Sequence, residues 1–282
     1  MNIVGVYHKG CIDGTTAAAV LSKKFPDVAL YPLTHSYQPS DLVPILERLT
    51  SETQVYTLDC ALGVREFLER GVSVITLDHH ISVHDELLTL AKENSRFTYI
   101  FDNNKSGASL SWAYFFPEVH RPWIIDLVED HDLGRWRLQP DTKYLNNYLA
   151  AFVDMPEAVL PLFSGIPDEV KHEGMVVTHF IDLLVEQFSE LKPVLMHING
   201  HQVRAYNATT CQSEVGHRLS QETEAAVCLF TVQGDHVRLS FRSSPGQVPS
   251  ALDLAQAVGG GGHVQASGAK IPLSTFLGLL QA

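Results

Sequence analysis

The first half of the chain alternates between short apolar segments typical of β-strands and segments with helical character. Apolar strands separated by helices indicate βαβ units, whose parallel sheet is covered by helices on both faces. We therefore predict an α/β fold for the region 1–192. The expected strands and helices follow one another as Ile3–Tyr7, Gly14–Phe25, Val28–Leu33, Ser40–Leu49, Val55–Leu58, Val64–Arg70 and Val72–Leu77.

The pattern changes after a long predicted helix, Asp168–Leu191, which Pro193 ends. Short strands separated by turns follow it. We expect a smaller mixed α+β domain over residues 193–282, across a cleft from the domain 1–192, with the boundary near Lys192–Val194. Its predicted strands are Val194–Asn199, Gln202–Asn207, Ala225–Val232 and His236–Phe241.

The net charge excludes some classes of partner. Among 282 residues, 20 Lys and Arg stand against 32 Asp and Glu, which gives −12 with His neutral. This balance argues against a protein that grips long nucleic acid or sits on an anionic membrane. Four widely separated cysteines do not form a disulfide framework or a zinc ribbon. With no signal-peptide pattern and no apolar run of about 20 residues, we expect a reduced, soluble, cytoplasmic protein.

Three predicted strands end in acidic or imidazole side chains. His8 follows the first strand, with Asp13 at the start of the next helix, Asp59 follows the third, and Asp78–His80 follow the fourth. Ligands bind outside the carboxyl ends of parallel strands, so these side chains should converge. Carboxylates and imidazoles without thiolate pairs suit Mn²⁺ or Mg²⁺. A carboxylate bridging two such ions, about 3.5–4 Å apart, would form a two-metal site for phosphoryl hydrolysis.

Each of these residues also has a simpler explanation. An aspartate after a strand often caps the next helix, and a lone histidine at a strand end is usually structural. The triplet Asp78–His80 fits that explanation less well, because three adjacent polar groups after an apolar strand all need partners. An aspartate beside a metal-binding histidine commonly orients it. The agreement of three strand ends therefore favours a metal site.

A run of four glycines, Gly259–Gly262, precedes His263. Without Cβ atoms, backbone N–H groups can approach a ligand closely, and such a nest favours an anion. Upstream, Arg242 could hold phosphate oxygens with two parallel hydrogen bonds. A hinge or tight turn is the simpler alternative. The position of the run, after the predicted helix Ala251–Val258 and before a predicted strand, favours anion binding.

These motifs together resemble the DHH phosphoesterases. Leu77-Asp78-His79-His80 resembles the signature that names the family, and Asp59 falls where the family has its preceding aspartate. His8 and Asp13 match the opening motif. In the fourth motif Asp132 is the better match, and Asp130 is the competing candidate. The glycine run, with Arg242 upstream, resembles the signature of the DHH-associated substrate-binding domain.

The resemblance implies a set of roles. Among members of the family, the chain is similar to bacterial oligoribonucleases (nanoRNases) and linear-dinucleotide hydrolases. The resemblance also suggests a homodimer. One or two Mn²⁺ ions, or Mg²⁺ in their place, would be held by His8, Asp13, Asp59, His79 and Asp132. Asp78 would orient His79, and His80 would face the scissile phosphate. The substrate would be held by Arg242, Ser243, Gly260, Gly261, Gly262 and His263.

The opening motif departs from the family pattern. Family members usually carry two aspartates there, two residues apart, and this chain has one. Cys11 or Thr15 occupies the nearby space. Cys11 could be a soft ligand, although a bystander thiol is the simpler interpretation.

We therefore expect a metal-dependent phosphodiesterase that hydrolyses short oligonucleotides or linear dinucleotides, such as pGpG, to nucleoside 5′-monophosphates. One alternative is a phosphoanhydride hydrolase acting on pyrophosphate or polyphosphate through the same cluster. A second alternative is a nucleotide-binding regulator with a degenerate metal site, which the incomplete opening motif motivates.

Overall fold

Five parallel strands form the first sheet, in the order β2-β1-β3-β4-β5. A computed structural model describes residues 2–280 of the chain. The predicted α/β class is confirmed, because the strands are parallel and helices separate them along the chain. The strands are β1 Asn2–His8, β2 Ala29–Leu33, β3 Thr53–Leu58, β4 Ser73–Asp78 and β5 Phe97–Phe101.

Helices cover both faces of this sheet. Successive side chains of a strand point to opposite faces, so each face has its own set of apolar residues for the helices to cover. On one face, Val4 and Val55 pack in a cluster with Leu42 of the helix Pro39–Leu46 (α2). On the other face, Leu58 and Leu77 pack in a cluster with residues of three helices, Ile12–Lys24 (α1), Gly107–Phe115 (α5) and Trp123–Asp132 (α6). The helices of this half are α1 Ile12–Lys24, α2 Pro39–Leu46, α3 Val64–Glu69, α4 His84–Glu93, α5 Gly107–Phe115, α6 Trp123–Asp132, α7 Asp141–Leu149, α8 Pro156–Val159 and α9 Asp168–Ser189.

A second, six-stranded sheet has the order β10-β11-β9-β8-β7-β6. Its neighbours pair antiparallel except β7 and β8, which are parallel and joined through α10. This is the predicted mixed α+β architecture. Its elements are β6 Val194–Ile198, β7 His201–Tyr206, α10 Gln212–Glu222, β8 Val227–Gln233, β9 His236–Arg242, α11 Ala251–Ala257, β10 Gly261–Gly262, β11 Ala266–Pro272 and α12 Leu273–Leu279.

The chain divides into two compact units between Thr178 and His179, inside α9. The domain boundary expected between residues 192 and 193 stays a prediction. Part of the helical apolar pattern of α9 faces solvent, since Val176, Phe180 and Leu183 are 55 %, 61 % and 51 % exposed. Within the range 2–280, no helix combines the length and apolar character needed to cross a membrane.

Candidate metal centre

Three adjacent strands deliver the predicted metal ligands to one edge of the first sheet. The register pairs Tyr7 with Leu58 and Leu58 with Leu77, so the residues at or just after the carboxyl ends of β1, β3 and β4 emerge side by side. These residues include His8, Asp59 and His79. The parallel register explains why positions about 20 and 50 residues apart in sequence meet.

Asp59 and His79 form the centre of the cluster. Nε2 of His79 lies 3.1 Å from Oδ1 of Asp59 and 3.9 Å from Oδ2 of Asp13. Asp59 has a left-handed backbone conformation, with φ of 56°, which ordinary side chains seldom adopt. Its amide N–H donates to the carbonyl of Leu77 at 2.9 Å, which ties this turn to β4.

Asp13 is held by the amino terminus of α5. The amides of Gly107 and Ala108 donate to its two carboxylate oxygens at 2.5 and 3.0 Å. A carboxylate at a helix amino terminus satisfies unpaired N–H groups and interacts favourably with the helix dipole. Asp13 is therefore fixed by an element that follows it by more than 90 residues, rather than acting as a simple cap of its own helix.

The two acids of α6 have different surroundings. Asp130 is buried and accepts hydrogen bonds from the amides of Arg137 and Leu138 at 2.9 and 3.1 Å, and from the Thr142 hydroxyl at 2.6 Å. Oδ2 of Asp132 instead lies 3.5 Å from Nε2 of His79, and its side chain is 23 % exposed. The structure therefore brings Asp132 to the cluster, while Asp130 organises the segment after α6.

Two of the buried polar atoms that lack hydrogen-bond partners within the described range belong to this cluster. They are Nδ1 of His8 and Oδ2 of Asp59, which lie 3.5 Å apart. The Asp59 side chain is only 1 % exposed, and leaving such an oxygen unsatisfied is costly. Imidazole nitrogen and carboxylate oxygen are ligands of borderline divalent ions. The unsatisfied pair therefore fits a metal ion.

Asp78 contacts its neighbours differently from the expectation. Its Oδ1 accepts from the backbone amide of His79 at 2.8 Å and lies 2.7 Å from Nδ1 of His80. Asp78 therefore orients the ring of His80, and holds His79 only through the backbone. In extended chain, side chains two residues apart share a side, whereas adjacent ones diverge.

The charges of the cluster shift several pKa values. Burial raises the pKa of Asp13 well above its usual range, and the charges of Asp59 and Asp132 add to this effect. Burial and Asp59 raise the pKa of Asp132 to about 6. Burial alone would lower the pKa of His79, but the hydrogen bond to Asp59 and the nearby carboxylates raise it to about 9. Burial alone would raise the pKa of Asp59, but the hydrogen bond from His79 and the nearby imidazoles of His8 and His80 hold it well below its usual range.

His35 lies at the same edge of the sheet, although no sequence motif marks it. Its ring centroid lies 4.7 Å from that of His8 and 6.4 Å from that of His80. It follows β2, which pairs with β1. The rule that identified the other strand ends applies equally to this one, so the signal was present in the sequence.

Solved structures with the same fold include RecJ proteins and a phosphodiesterase. RecJ of Thermus thermophilus, in complex with Mn²⁺, matches with a TM-score of 0.60 and 16 % identity over 98 % of this chain and 50 % of that one. An exonuclease RecJ bound to manganese gives 0.55 and 17 %, covering 98 % and 88 % of the two chains. PggH of Vibrio cholerae, described as a pGpG-specific phosphodiesterase, gives 0.53 and 13 %, covering 97 % and 94 %.

This chain has the fold of the RecJ and PggH structures. The resemblance drawn from the motifs is thus confirmed at the level of the fold. By sequence, the chain is 23 % identical over 286 residues to an uncharacterized protein of Acanthamoeba polyphaga mimivirus. That alignment covers 94 % of this chain and 66 % of the viral protein, so the chain spans less than two thirds of its relative. No family model matches the sequence.

In the second unit, Arg242 ends β9 and is partly buried. Its guanidinium donates to the hydroxyls of Ser240 and Ser213 at 3.0 and 2.8 Å, and to the carbonyl of Phe241 at 2.8 Å. These acceptors are all neutral, and Arg242 forms no ion pair with any residue between positions 2 and 280. Burial lowers its pKa, and the nearby charge of Glu214 opposes this effect.

Ser243 already has partners of its own. Its hydroxyl donates to the carbonyl of Val264 at 3.2 Å and accepts from the amide of Ala251 at 3.0 Å. Ser243 therefore fixes the start of α11. Its contact with substrate stays a prediction.

The glycine run forms an edge strand. Gly261 and Gly262 pair with Gly268 and Ser267 of β11. A Cβ atom at Gly260 would lie 2.1 Å from the carbonyl oxygen of Gly268, so close packing of backbone requires a glycine there. His263 continues the turn, with its amide donating to Ala266 at 2.9 Å. A Cβ at Gly261 would meet nothing within 4 Å, so β-pairing does not explain this glycine. The anion nest stays a prediction.

Proposed function

We propose that this protein is a metal-dependent phosphodiesterase that hydrolyses short oligonucleotides or linear dinucleotides to nucleoside 5′-monophosphates. The observation that carries the proposal is the position of Asp59, whose two carboxylate oxygens face different side chains of the cluster. One oxygen, Oδ1, lies 3.1 Å from His79, and the other, Oδ2, lies 3.5 Å from His8. A buried carboxylate with an oxygen toward each of two ligand groups is what a bridging ligand between two ions requires.

Five side chains would hold the divalent ions, with Asp59 shared between two groups. The first group contains His8, and the second contains Asp13, His79 and Asp132, whose ligand atoms lie within 4.8 Å of one another. Bound ions of this kind polarise a phosphoryl oxygen and lower the pKa of a bound water. Mn²⁺ is the ion we favour, with Mg²⁺ as the alternative, because the RecJ structures with this fold contain one or the other.

The chain's own residues would position the substrate. Asp78 holds the ring of His80, which stands beside His8 and His35 at the carboxyl edge of the sheet. We assign His80 and His35 to the scissile phosphate, because imidazole N–H groups donate to phosphate oxygens. Asp78 keeps the Nδ1 side of His80 engaged, so that Nε2 is the atom directed away from it.

The second unit would supply a separate anion-binding surface. Arg242 is a partly buried cation whose hydrogen-bond acceptors are neutral, and phosphate is the group such a guanidinium binds best. Gly261 has space for a side chain that it does not carry, which is consistent with close approach of a ligand to the backbone. We assign the terminal phosphate or nucleotide of the substrate to Arg242, Ser243, Gly260, Gly261, Gly262 and His263.

A short substrate suits the charge of the chain. With a net charge of −12, the protein lacks the excess of cations that binding a long strand requires. PggH, which shares the fold, is described as specific for the linear dinucleotide pGpG. A linear dinucleotide such as pGpG is therefore the substrate we propose first.

A homodimer and a reducing, cytoplasmic location complete the proposal. Val176, Phe180 and Leu183 form an exposed apolar stripe on α9, and a second copy of the same stripe is a self-complementary partner. Light scattering of the wild type and Phe180→Asp should give a dimer and a monomer, respectively. All four cysteines are free thiols, which is the state a reducing compartment maintains.

Turnover on a substrate panel tests the function. The panel contains pGpG, pApA, a cyclic dinucleotide, pyrophosphate and a longer RNA, each with Mn²⁺, and His79→Ala is the control variant. We expect mononucleotide release from the linear dinucleotides by the wild type and none by the variant. Hydrolysis of pyrophosphate alone would instead identify a phosphoanhydride hydrolase. Tight dinucleotide binding without turnover would identify a regulator.

A further inference from the structure

Cys11 and Thr15 are the two residues near the aspartate that the resemblance to the DHH phosphoesterases implies and that this chain lacks. Cys11 is the residue before α1, three positions after His8 and two before Asp13. Thr15, the other residue near the absent carboxylate, is already engaged: its hydroxyl donates to the carbonyl of Cys11 at 2.7 Å and accepts from the amide of Asp154 at 2.9 Å. Of the two residues near the absent carboxylate, Cys11 is therefore the one whose side chain remains available as a ligand.

The surroundings of Cys11 are those of a ligand. Its Sγ, a nitrogen of His8 and a carboxylate oxygen of Asp59 all lie within 4.8 Å of one another. The independent observation is the unsatisfied pair described above: Nδ1 of His8 and Oδ2 of Asp59, the latter on a side chain that is 1 % exposed. A buried carboxylate oxygen without a donor needs a cation, and the thiol stands beside it.

We propose that Cys11 is a metal ligand, whose thiolate completes a site with His8 and Asp59 and makes that site selective for transition-metal ions over Mg²⁺. This inference rests on the proposed function and adds the identity of a ligand and the kind of ion. On binding, the thiol proton passes to solvent and the sulfur donates its electron pair to the ion. Thiolate and imidazole favour ions such as Co²⁺ or Zn²⁺, whereas Mg²⁺ prefers oxygen ligands.

The two ligand groups then differ in chemistry. Asp13 and Asp132 give the group around His79 mainly oxygen donors, which accept Mg²⁺ or Mn²⁺. The group around His8 carries nitrogen, sulfur and a single carboxylate. One protein would thus hold two ions of different preference, with Asp59 between them.

Absorption spectroscopy with Co²⁺ tests the inference without measuring activity. Co²⁺ is titrated into metal-free full-length protein, and a thiolate-to-Co²⁺ charge-transfer band in the near ultraviolet reports a sulfur ligand. The variants are Cys11→Ser and Cys11→Asp. Cys211→Ser is the matched control, because Cys211 is also partly buried and also precedes a helix, α10. Circular dichroism checks that each variant folds.

We expect the band in the wild type and in Cys211→Ser, and its loss in both variants at position 11. Calorimetry should show that Cys11→Asp still binds Co²⁺ and binds Mg²⁺ about tenfold more tightly than the wild type does. Co²⁺ binding without a band in the wild type, or a band that survives in Cys11→Ser, would overturn the inference alone. No binding of Co²⁺ or Mn²⁺ by the wild type would overturn the proposed function with it.

Discussion

Gly107 lies directly against Asp59. A Cβ atom at Gly107 would come within 2.6 Å of Cβ and 2.9 Å of Cα of Asp59, and within 3.0 Å of Oδ2 of Asp13. The same glycine donates its amide to Asp13. The first turn of α5 can therefore hold Asp13 only because this position has no side chain.

Gly107→Ala should disturb both stability and turnover. The new methyl group meets backbone and cannot be relieved by a side-chain rotation, so we expect a loss of about 1–3 kcal/mol in the free energy of unfolding. Turnover should fall together with Mn²⁺ affinity, because the methyl displaces Asp13 or Asp59. Denaturant unfolding and calorimetry measure the two effects. Gly278→Ala is the control, since a Cβ at that position meets nothing. Equal behaviour of the two variants would refute the packing argument.

The variants Asp132→Asn and Asp130→Asn should distinguish the roles of the two acids of α6 by their effects on stability. Because the pKa of Asp132 is raised to about 6, its charged form costs stability above that pH, and Asn should leave metal-free stability at pH 7 unchanged or higher. Asp130→Asn should cost about 1–3 kcal/mol, since three donors lose their charged acceptor.

The rise in Tm that Mn²⁺ produces should distinguish the two variants in the opposite sense. At 100 times its Kd, an ion that binds only the folded state adds about 2.7 kcal/mol. In a unit of this size, that is a rise in Tm of about 5–10 °C. We expect the rise to persist in Asp130→Asn and to shrink in Asp132→Asn. A rise lost in Asp130→Asn and kept in Asp132→Asn would exchange the roles that we assign.

His35→Ala should weaken turnover and leave metal binding intact. The ring lies 4.7 Å from that of His8, but it is not one of the side chains assigned to the ions. Loss of one hydrogen bond to a charged phosphate corresponds to about 1.5–3 kcal/mol, so kcat/KM on pGpG should fall about tenfold or more. Calorimetry should give an unchanged Mn²⁺ affinity. An Mn²⁺ affinity that falls as far as kcat/KM would make His35 a ligand instead.

Arg242→Ala should raise KM, with kcat and Mn²⁺ affinity little changed. The guanidinium belongs to the second unit and is assigned to the end of the substrate away from the reacting phosphorus. A charge-assisted contact of this kind predicts about a tenfold or larger rise in KM. Arg204→Ala, an exposed arginine of β7 in the same unit, is the control. A KM that is equal in the two variants would remove Arg242 from the substrate site.

Much of the fold could be predicted from the sequence because its signals are local. The apolar segments around Val55 and Val74 predict strands, and their separation by helices predicts parallel pairing. The carboxyl-edge rule then predicted that His8, Asp59 and His79 would meet. The same rule applies to His35, which follows a strand but belongs to no motif.

The remaining contacts depend on positions that no local pattern connects. The bond between Gly107 and Asp13 joins residues 94 positions apart, and the choice of Asp132 over Asp130 depends on which hydrogen bonds the segment after α6 makes. Asp78 was expected to orient the ring of His79, whereas its side chain holds the ring of His80. That outcome follows from side-chain direction at the end of β4, which the residue types alone do not reveal.

The central claim is that Asp59 is shared between the two groups of metal ligands. Calorimetry tests it directly, by measuring Mn²⁺ binding to metal-free wild-type protein and to the metal-free Asp59→Asn variant. If Asp59 is shared between two ligand groups, the wild type should bind Mn²⁺ saturably, and Asp59→Asn should bind it at least about a hundredfold more weakly or not at all. Wild-type protein that binds no Mn²⁺, or an Asp59→Asn variant that binds it as tightly as the wild type, would contradict the account.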